Sequence, residues 1–385
     1  MRVLLAGVSM RAAAASAARA GFDVTAIDAF ADFDQHPSVE AQSLGGRFSP
    51  DAAAQQSQTI SCDAVAYGSN FENDPDAVTL LARGRALWGN PSDVLRRVRD
   101  PLRLSETLRR RGFAAPTVSE PIPDPQSPQS PTPNPQSRAA WLVKRRASGG
   151  GQGIRPWCDG MRLPHGSYLQ EFIDGTSASI VFVAARGRAV PIGLFRQLIG
   201  DAAFGSSGFR YCGNILTAAG EDDDVVDPAC AMATVVCEEF GLVGVNGIDM
   251  IVKSGVPYAI EVNPRWCASM ELVERAYGVS VFGMHASACR DALLPDFDLA
   301  RARRGAQTTG KAVVFARRDV ALGDTSGWLP DPRAQDEIRD IPHPGAQIGA
   351  GHPMCTVFAA GRESAGCRAE LVRRADRIYA ATGML

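Results

Sequence analysis

Long apolar runs are missing from this chain of 385 residues, as are several motifs that would have narrowed its chemistry at once. No stretch of about 18 apolar residues occurs, so no membrane span is expected. The opening run, Val3 to Ala6, is too short for a signal peptide and gives way to small and charged residues. The nine cysteines contain no Cys-x-x-Cys pair, which argues against a zinc site and a compact disulfide framework. Reduced thiols in a cytoplasm follow. Positive charge is not in surplus either. A net charge of −2 and a pI near 6.2 argue against a nucleic-acid binder, and lysine is scarce beside arginine.

What is present suggests two or three domains. Val3 to Gly7 reads as a buried strand, Arg11 to Ala20 as a helix, and Asp23 to Asp28 as a second strand, a β-α-β unit. Asp28 invites a dinucleotide reading. The loop Gly7-Val8-Ser9-Met10-Arg11 has one glycine where a Rossmann fingerprint has three, which disfavours it. Cys62 to Gly68 reads as a strand and Pro75 to Gly84 as a helix. Within Asp93 to Gly112 the helix proper is expected to begin at Pro101. Pro116 to Ser137, dominated by Pro, Ser, Gln and Asn, is expected to be an extended surface insertion.

Three local motifs carry chemistry. The first is a pair of apolar strands, Gly247 to Val252 and Val256 to Pro264, joined by the short turn Lys253-Ser254-Gly255. A hairpin would bring Asp249, Glu261 and Asn263 together as oxygen ligands for a hard divalent cation, with Arg265 at the rim. An ordinary hairpin with charged ends is the plain alternative. The second is the strand Ala140 to Lys144 followed by Ser148-Gly149-Gly150-Gly151-Gln152-Gly153. Glycines free the backbone N–H groups to wrap a polyphosphate, and Lys144 supplies a point charge. Alone, such a loop is weak evidence, and a mobile surface segment is its default reading. The third is the strand Tyr168 to Gly175, whose edge can hydrogen-bond an adenine.

In this order the three elements resemble the ATP-grasp superfamily. The resemblance implies an α/β fold in which two α+β subdomains grip ATP, preceded by a Rossmann-like unit and followed by a small β-rich region. The implied divisions are 1–90, 91–305 with the insertion at 116–138, and a C-terminal cap with a final helix at 306–385. It implies ATP and magnesium (or manganese) as cofactors. Asp249, Glu261 and Asn263 would hold the metal, and Lys144 and Arg265 would act in catalysis. Lys144, Ser148, Gly149, Gly150, Gly151 and Gly153 would close over the phosphates, with Gln170, Glu171, Phe172 and Ile173 bordering the adenine. Relatives often carry a lysine just after the Asp that starts the preceding helix. Here Asp100 is followed by Pro101, so that role is vacant or passes to Arg99 or Arg103. Asn246 is expected as a supporting or substrate contact.

The blocks Tyr67 to Pro75, Leu87 to Asn90, Glu261 to Arg265 and Asp340 to Gly345 look like a carboxylate–amine ligase branch seen beside one-carbon carrier biosynthesis in methylotrophs. That implies glutamate joined to an amine or amino acid, such as tyramine or tyrosine, in a methanofuran-type cofactor. The partners implied are small-molecule carboxylates and amines, with no nucleic acid or membrane and with a homodimer as one assembly. Two alternatives stay open: a carboxylase using bicarbonate, and a non-catalytic nucleotide-binding protein. His285 or Glu271 could assist an amine, although a packed histidine is the simpler reading of His285. Arg196, Arg210 and Tyr211 fall in a Gly- and Ser-rich segment that suits a substrate loop or a plain surface loop.

Overall fold

A computed structural model describes residues 1–120, 141–158, 160–329 and 337–384. Most of the proline-rich insertion, from residue 121 onward, lies outside the described residues.

The first 90 residues build a five-stranded parallel sheet in the spatial order Val39–Ser43, Asp23–Asp28, Arg2–Ala6, Ala64–Tyr67, Ala86–Trp88. Its central strand is apolar at successive positions because both faces are covered. Val3 and Leu5 pack with Ala13, Ala14 and Ala17 of the helix Arg11–Arg19 on one face. Leu4 and Ala6 meet Ala53, Ala54 and Val78 on the other. The alanine run makes that helix a strong helix former and lets it approach closely. The carboxyl ends of the strands deliver Gly7, Asp28 and Tyr67 to the rest of the molecule.

The second body is an eight-stranded antiparallel sheet, ordered Val256–Asn263, Gly244–Lys253, Thr176–Ala185, Arg188–Ile199, Tyr211–Leu216, Thr308–Phe315, Pro353–Gly361, Ile338–Arg339. After residue 306 the strands Thr308–Phe315, Ile338–Arg339 and Pro353–Gly361 therefore continue this sheet, while Val320–Ala321 and Gln347–Ile348 pair separately, and the final helix, Ser364–Ala381, packs on the sheet. The helix Asp223–Phe240 covers the other end with Met232, Ala233, Val236 and Phe240 against Ile180, Phe182, Ile248 and Val262. Each large apolar side chain fully buried there contributes roughly 1.5–3 kcal/mol. A separate small sheet, ordered Val118–Ser119, Ser167–Glu171, Trp141–Arg145, Arg155–Pro156, carries the glycine loop.

The helix at Pro101 begins where expected. Asp100 accepts from the N–H groups of Leu102 and Arg103, and Pro101 occupies the first turn, where a missing N–H costs nothing. A shorter helix, Ser92–Val98, precedes it, and Arg99 falls in the corner between the two.

Candidate active site

The two strands expected to pair do so, across a two-residue turn in which Ser254 and Gly255 both take the left-handed conformation, with φ of 51° and 75°. That backbone twist matches the flanking strands. Asp249 lies directly opposite Glu261, and Gly247 opposite Asn263. A bulge at Ile260 shifts the alternation by one. Ala259 and Val262 can then both face the core helix, while Glu261 and Asn263 face the cleft.

The side chains of this group hold one another in place. Asp249 accepts from Gln197 Nε2 and from Asn263 Nδ2, each at 2.9 Å. Arg265 Nη2 donates to Asn263 Oδ1 at 3.0 Å. Its Nε and Nη2 both reach Glu72 Oε1, at 3.0 and 2.7 Å, leaving Glu72 Oε2 buried without a partner. Arg99 Nη1 stands 3.4 Å from Glu261 Oε1 and donates to the Val262 carbonyl at 3.0 Å.

The electrostatics separate the two acids. Burial, then the charge of Glu261, pushes the Asp249 carboxyl up to about 6. Burial opposes the Glu261 charge too, but Arg99, Lys144 and Arg265 overcome it and hold that carboxyl below its usual range. Burial likewise opposes the Arg265 charge, and Glu72 more than offsets it. Two adjoining carboxylates and an amide oxygen fit a divalent cation that shares its shell with phosphate oxygens. They do not form an all-protein cage. Among the described residues no three His, Cys, Asp or Glu side chains come together in that way.

Lys144 is buried on the small sheet, where its Nζ donates to Gln170 Oε1 at 3.0 Å and sits 6.0 Å from the Tyr168 ring centre. A cleft with Arg99, Arg145, Arg146, Tyr168 and Glu261 in its walls separates this sheet from the paired acids. The glycine loop leans across it. The Ser148 carbonyl accepts from Arg99 Nη2 at 3.2 Å and from Asn73 Nδ2 at 3.3 Å, and the Gly150 carbonyl from the Tyr211 N–H at 3.1 Å. At Gly151, with φ of 74°, a Cβ would stand 1.8 Å from the Phe209 carbonyl oxygen, so only glycine fits.

Not every expected residue joins the group. Gln170 is buried beside Lys144 and Ile173 is buried three residues on, whereas the Glu171 carboxylate turns to Thr117, accepting from its N–H and hydroxyl at 2.9 and 2.8 Å. Phe172 is 40% exposed. Arg103 lies on the exposed face of its helix, so Arg99 is the arginine that reaches the acids. Asn246 is fully buried and accepts from Asn90 Nδ2 at 2.8 Å, a structural tie. His285 is also structural: its Nδ1 accepts from the Val245 N–H at 3.0 Å, its Nε2 donates to the Trp88 carbonyl at 3.3 Å, and burial pushes it down to about 4. Glu271 is bound by Arg11 and Lys311 at 2.9 and 2.8 Å and is not free to take a proton. Arg196 pairs with Asp222, and Arg210 donates to the Gly351 carbonyl. The Asp28 carboxylate is filled by the N–H groups of Met10, Phe30 and Ala31, which leaves none of it for a ribose.

Gln197 and Glu72 were not anticipated. Gln197 had no local signal at all. Glu72 stood inside a block singled out for resemblance, but 193 residues separate it from Arg265.

Residues 98–269 match the sequence profile of an ATP-grasp domain. An uncharacterized protein of Methanocaldococcus jannaschii is 29% identical over 124 residues, which is 32% of this chain and 28% of that protein's length. An L-amino acid ligase from Bacillus licheniformis superposes with a TM-score of 0.70 at 15% identity, covering 98% of this chain and 97% of that one. The N5-carboxyaminoimidazole ribonucleotide synthetase of Thermotoga maritima gives 0.66 at 16%, covering 99% and 98%. The biotin carboxylase domain of Hydrogenobacter thermophilus 2-oxoglutarate carboxylase, solved with MgADP, ADP and bicarbonate, gives 0.69 at 14%, covering 99% and 89%. The fold is therefore that of ATP-grasp proteins. Within it, the part that matches the ATP-grasp profile follows the Rossmann-like parallel sheet.

Proposed function

We propose that the protein is an ATP-dependent carboxylate–amine ligase, forming an amide by way of an acyl phosphate. The observation that carries this reading is the opposition of Asp249 and Glu261 across one strand pair, with the Lys144 charge acting on Glu261 and with Glu261 in the wall of a cleft shared with Arg99, Arg145, Arg146 and Tyr168. Asp249, Glu261 and Asn263 would hold magnesium, which when bound neutralises the nucleotide phosphates and the charge developing on the transferred group. Lys144 and Arg99 reach the same phosphate region from opposite walls. Arg265, fixed by Glu72 and Asn263, is placed to bind the acyl phosphate and the leaving phosphate. The chain's task is then to position the reactants and exclude water from the activated carboxylate, and the glycine loop suits the second part. Glutamate joined to an amine or amino acid in a methanofuran-type cofactor is the finer reading. It is supported by the sequence blocks around Glu72, Asn90 and Asp340, the first two of which contact Arg265 and Pro264.

A carboxylase using bicarbonate would need the same metal and phosphate groups, and the fold is shared with such enzymes. Phosphate release measured over a panel of carboxylates and amines, with mass spectrometry of products, separates the two readings. ADP formation that requires both an acid and an amine and ignores bicarbonate is expected; the reverse pattern selects the carboxylase. Glu261→Ala should abolish turnover, and activity above about a tenth of wild type would sink the metal assignment.

A further inference from the structure

We propose that Asp32 and Asp34, beside Asp340, hold a positively charged group on the amine substrate, which makes that substrate a diamine, a polyamine or a basic amino acid. The proposal rests on the ligase reading and names the class of its second substrate.

The three acids meet where the loop after the second strand docks on the segment before the last long strand. Phe33 N–H donates to the Ile341 carbonyl at 2.7 Å, and Ile341 N–H to Asp34 Oδ1 at 2.8 Å. His343 Nε2 reaches the Ala31 carbonyl at 2.9 Å. Asp340 Oδ1 binds Arg11 Nε at 2.7 Å, and its Oδ2 accepts from the Thr356 hydroxyl at 2.5 Å. This junction lies at the carboxyl edge of the parallel sheet, the same edge that carries Tyr67 to the Pro264 carbonyl and is followed by Glu72 at Arg265. Arg11 links it onward to Glu271, Glu271 to Lys311, and Lys311 to the Ala268 carbonyl just past Arg265.

Charge does not balance here. The largest charge effects on Asp32 come from Asp340, Asp28 and Asp34, opposed by Arg11, while Arg339 also acts on Asp34 and Lys311 on Asp340. Arg11 is already shared among Asp34, Asp340 and Glu271. Asp32 is only 6% exposed, and its Oδ2 has no hydrogen-bond partner. Asp34 Oδ2 is buried without a hydrogen bond as well, its nearest cation being Arg11 Nε at 3.6 Å. Beside them both amide atoms of Gln35 are unpartnered. Asp28, a few residues away, shows the contrast, with three backbone N–H groups on its carboxylate. Burial, then the neighbouring carboxylates, pushes the Asp32 carboxyl well up. Leaving a buried carboxylate unpaired costs several kcal/mol. A group maintained at such a cost points to a partner that arrives from outside.

The chemistry of the partner follows from the acceptors. They are scattered carboxylate and amide oxygens, and among the described residues no cage of three acidic or His/Cys side chains closes on a metal ion. An ammonium or guanidinium has several N–H donors and satisfies acceptors spaced in this way. None of the three acids touches Asp249, Glu261 or Arg265, so the anchored cation is a different group from the amine that attacks the acyl carbon.

The test uses the full chain with putrescine and agmatine as probes and butylamine as the singly charged control. In wild type, putrescine or agmatine should raise the melting temperature and support ADP-forming ligation with KM about tenfold or more below that of butylamine. Asp32→Asn and, separately, Asp34→Asn should abolish the melting shift and bring the KM ratio within about twofold, with KM for ATP unchanged. Asp32→Asn should not lower the melting temperature of the free protein, because it replaces a buried carboxyl whose Oδ2 nothing in the fold pairs. Equal KM for the two amine classes in wild type overturns the proposal. So does an Asp32→Asn protein that melts lower while keeping its preference, since the acids would then serve only to fix Arg11. If no amine supports ADP formation but the diamine-induced shift is present and lost in Asp32→Asn, the ligase reading fails and the cation site stands. If the shift is also missing, both fail.

Discussion

Arg99 sits at the corner between two short helices with one guanidinium nitrogen toward Glu261 and another on the Ser148 carbonyl, while its Nε is buried with no partner. The sequence left the role of the missing nucleotide lysine vacant or passing to Arg99 or Arg103, with Arg103 taken as the nucleotide contact. Helix geometry separates them, because Asp100 caps the helix and turns Arg103 outward. Arg99→Ala should lower kcat/KM for ATP by about a hundredfold or more, while Arg103→Ala stays within about twofold, read by steady-state ADP release. The chain has only three lysines, and two of them, Lys144 and Lys311, are buried at the two ends of the polar region described above. With arginine so heavily favoured elsewhere, a compact ammonium at these two places is a chemical choice.

At the scale of elements, the strand pair 244–263 was legible because both strands, the turn and the ligands lie within 20 residues, where period-two alternation and turn chemistry suffice. The bulge at Ile260 was not. Strict alternation would put Ala259 on the same face as Glu261 and Asn263, and only packing against the helix Asp223–Phe240 reverses it. The glycine loop was legible as a phosphate wrap, but its resting place against Phe209 and Tyr211 comes from residues about 60 positions away. Gly151→Ala adds both an unfavourable φ and a collision with the Phe209 carbonyl. Turnover should fall about tenfold or more, while the melting temperature, set by cores the loop does not join, should move little.

At the scale of the whole molecule, the parallel sheet is tied into the antiparallel one. Val3, Leu5 and Ala14 share one apolar cluster with Val181, Ile192, Phe195 and the helix Val281–Asp291. His285 lies in this junction, between the Val245 N–H and the Trp88 carbonyl. Its folded value, about 4, is below its ordinary value of 6.5, so the unfolded chain takes up the proton first as pH falls. The stabilisation from the neutral ring is complete above pH 6.5 and is lost between 6.5 and about 4, amounting to roughly 3 kcal/mol. His285→Gln should be less stable than wild type at pH 7, and the gap in urea-unfolding free energy should narrow across that window. A gap that stays constant would show that the ring is not neutral in the fold. No helix among the described residues is long and apolar enough to cross a membrane.

The sequence by itself determined the elements and the local motifs: the β-α-β start, the cap at Asp100, the glycine loop, and the acids of one hairpin. Each depends on propensity, period or turn chemistry acting within a few residues. Only the tertiary structure decided what those motifs face. Glu72 holds Arg265, Gln197 holds Asp249, and Asp32 and Asp34 meet Asp340 about 300 residues later. Such pairings follow from sheet order and helix docking, and no local pattern in the chain encodes which distant side chain will share a buried charge.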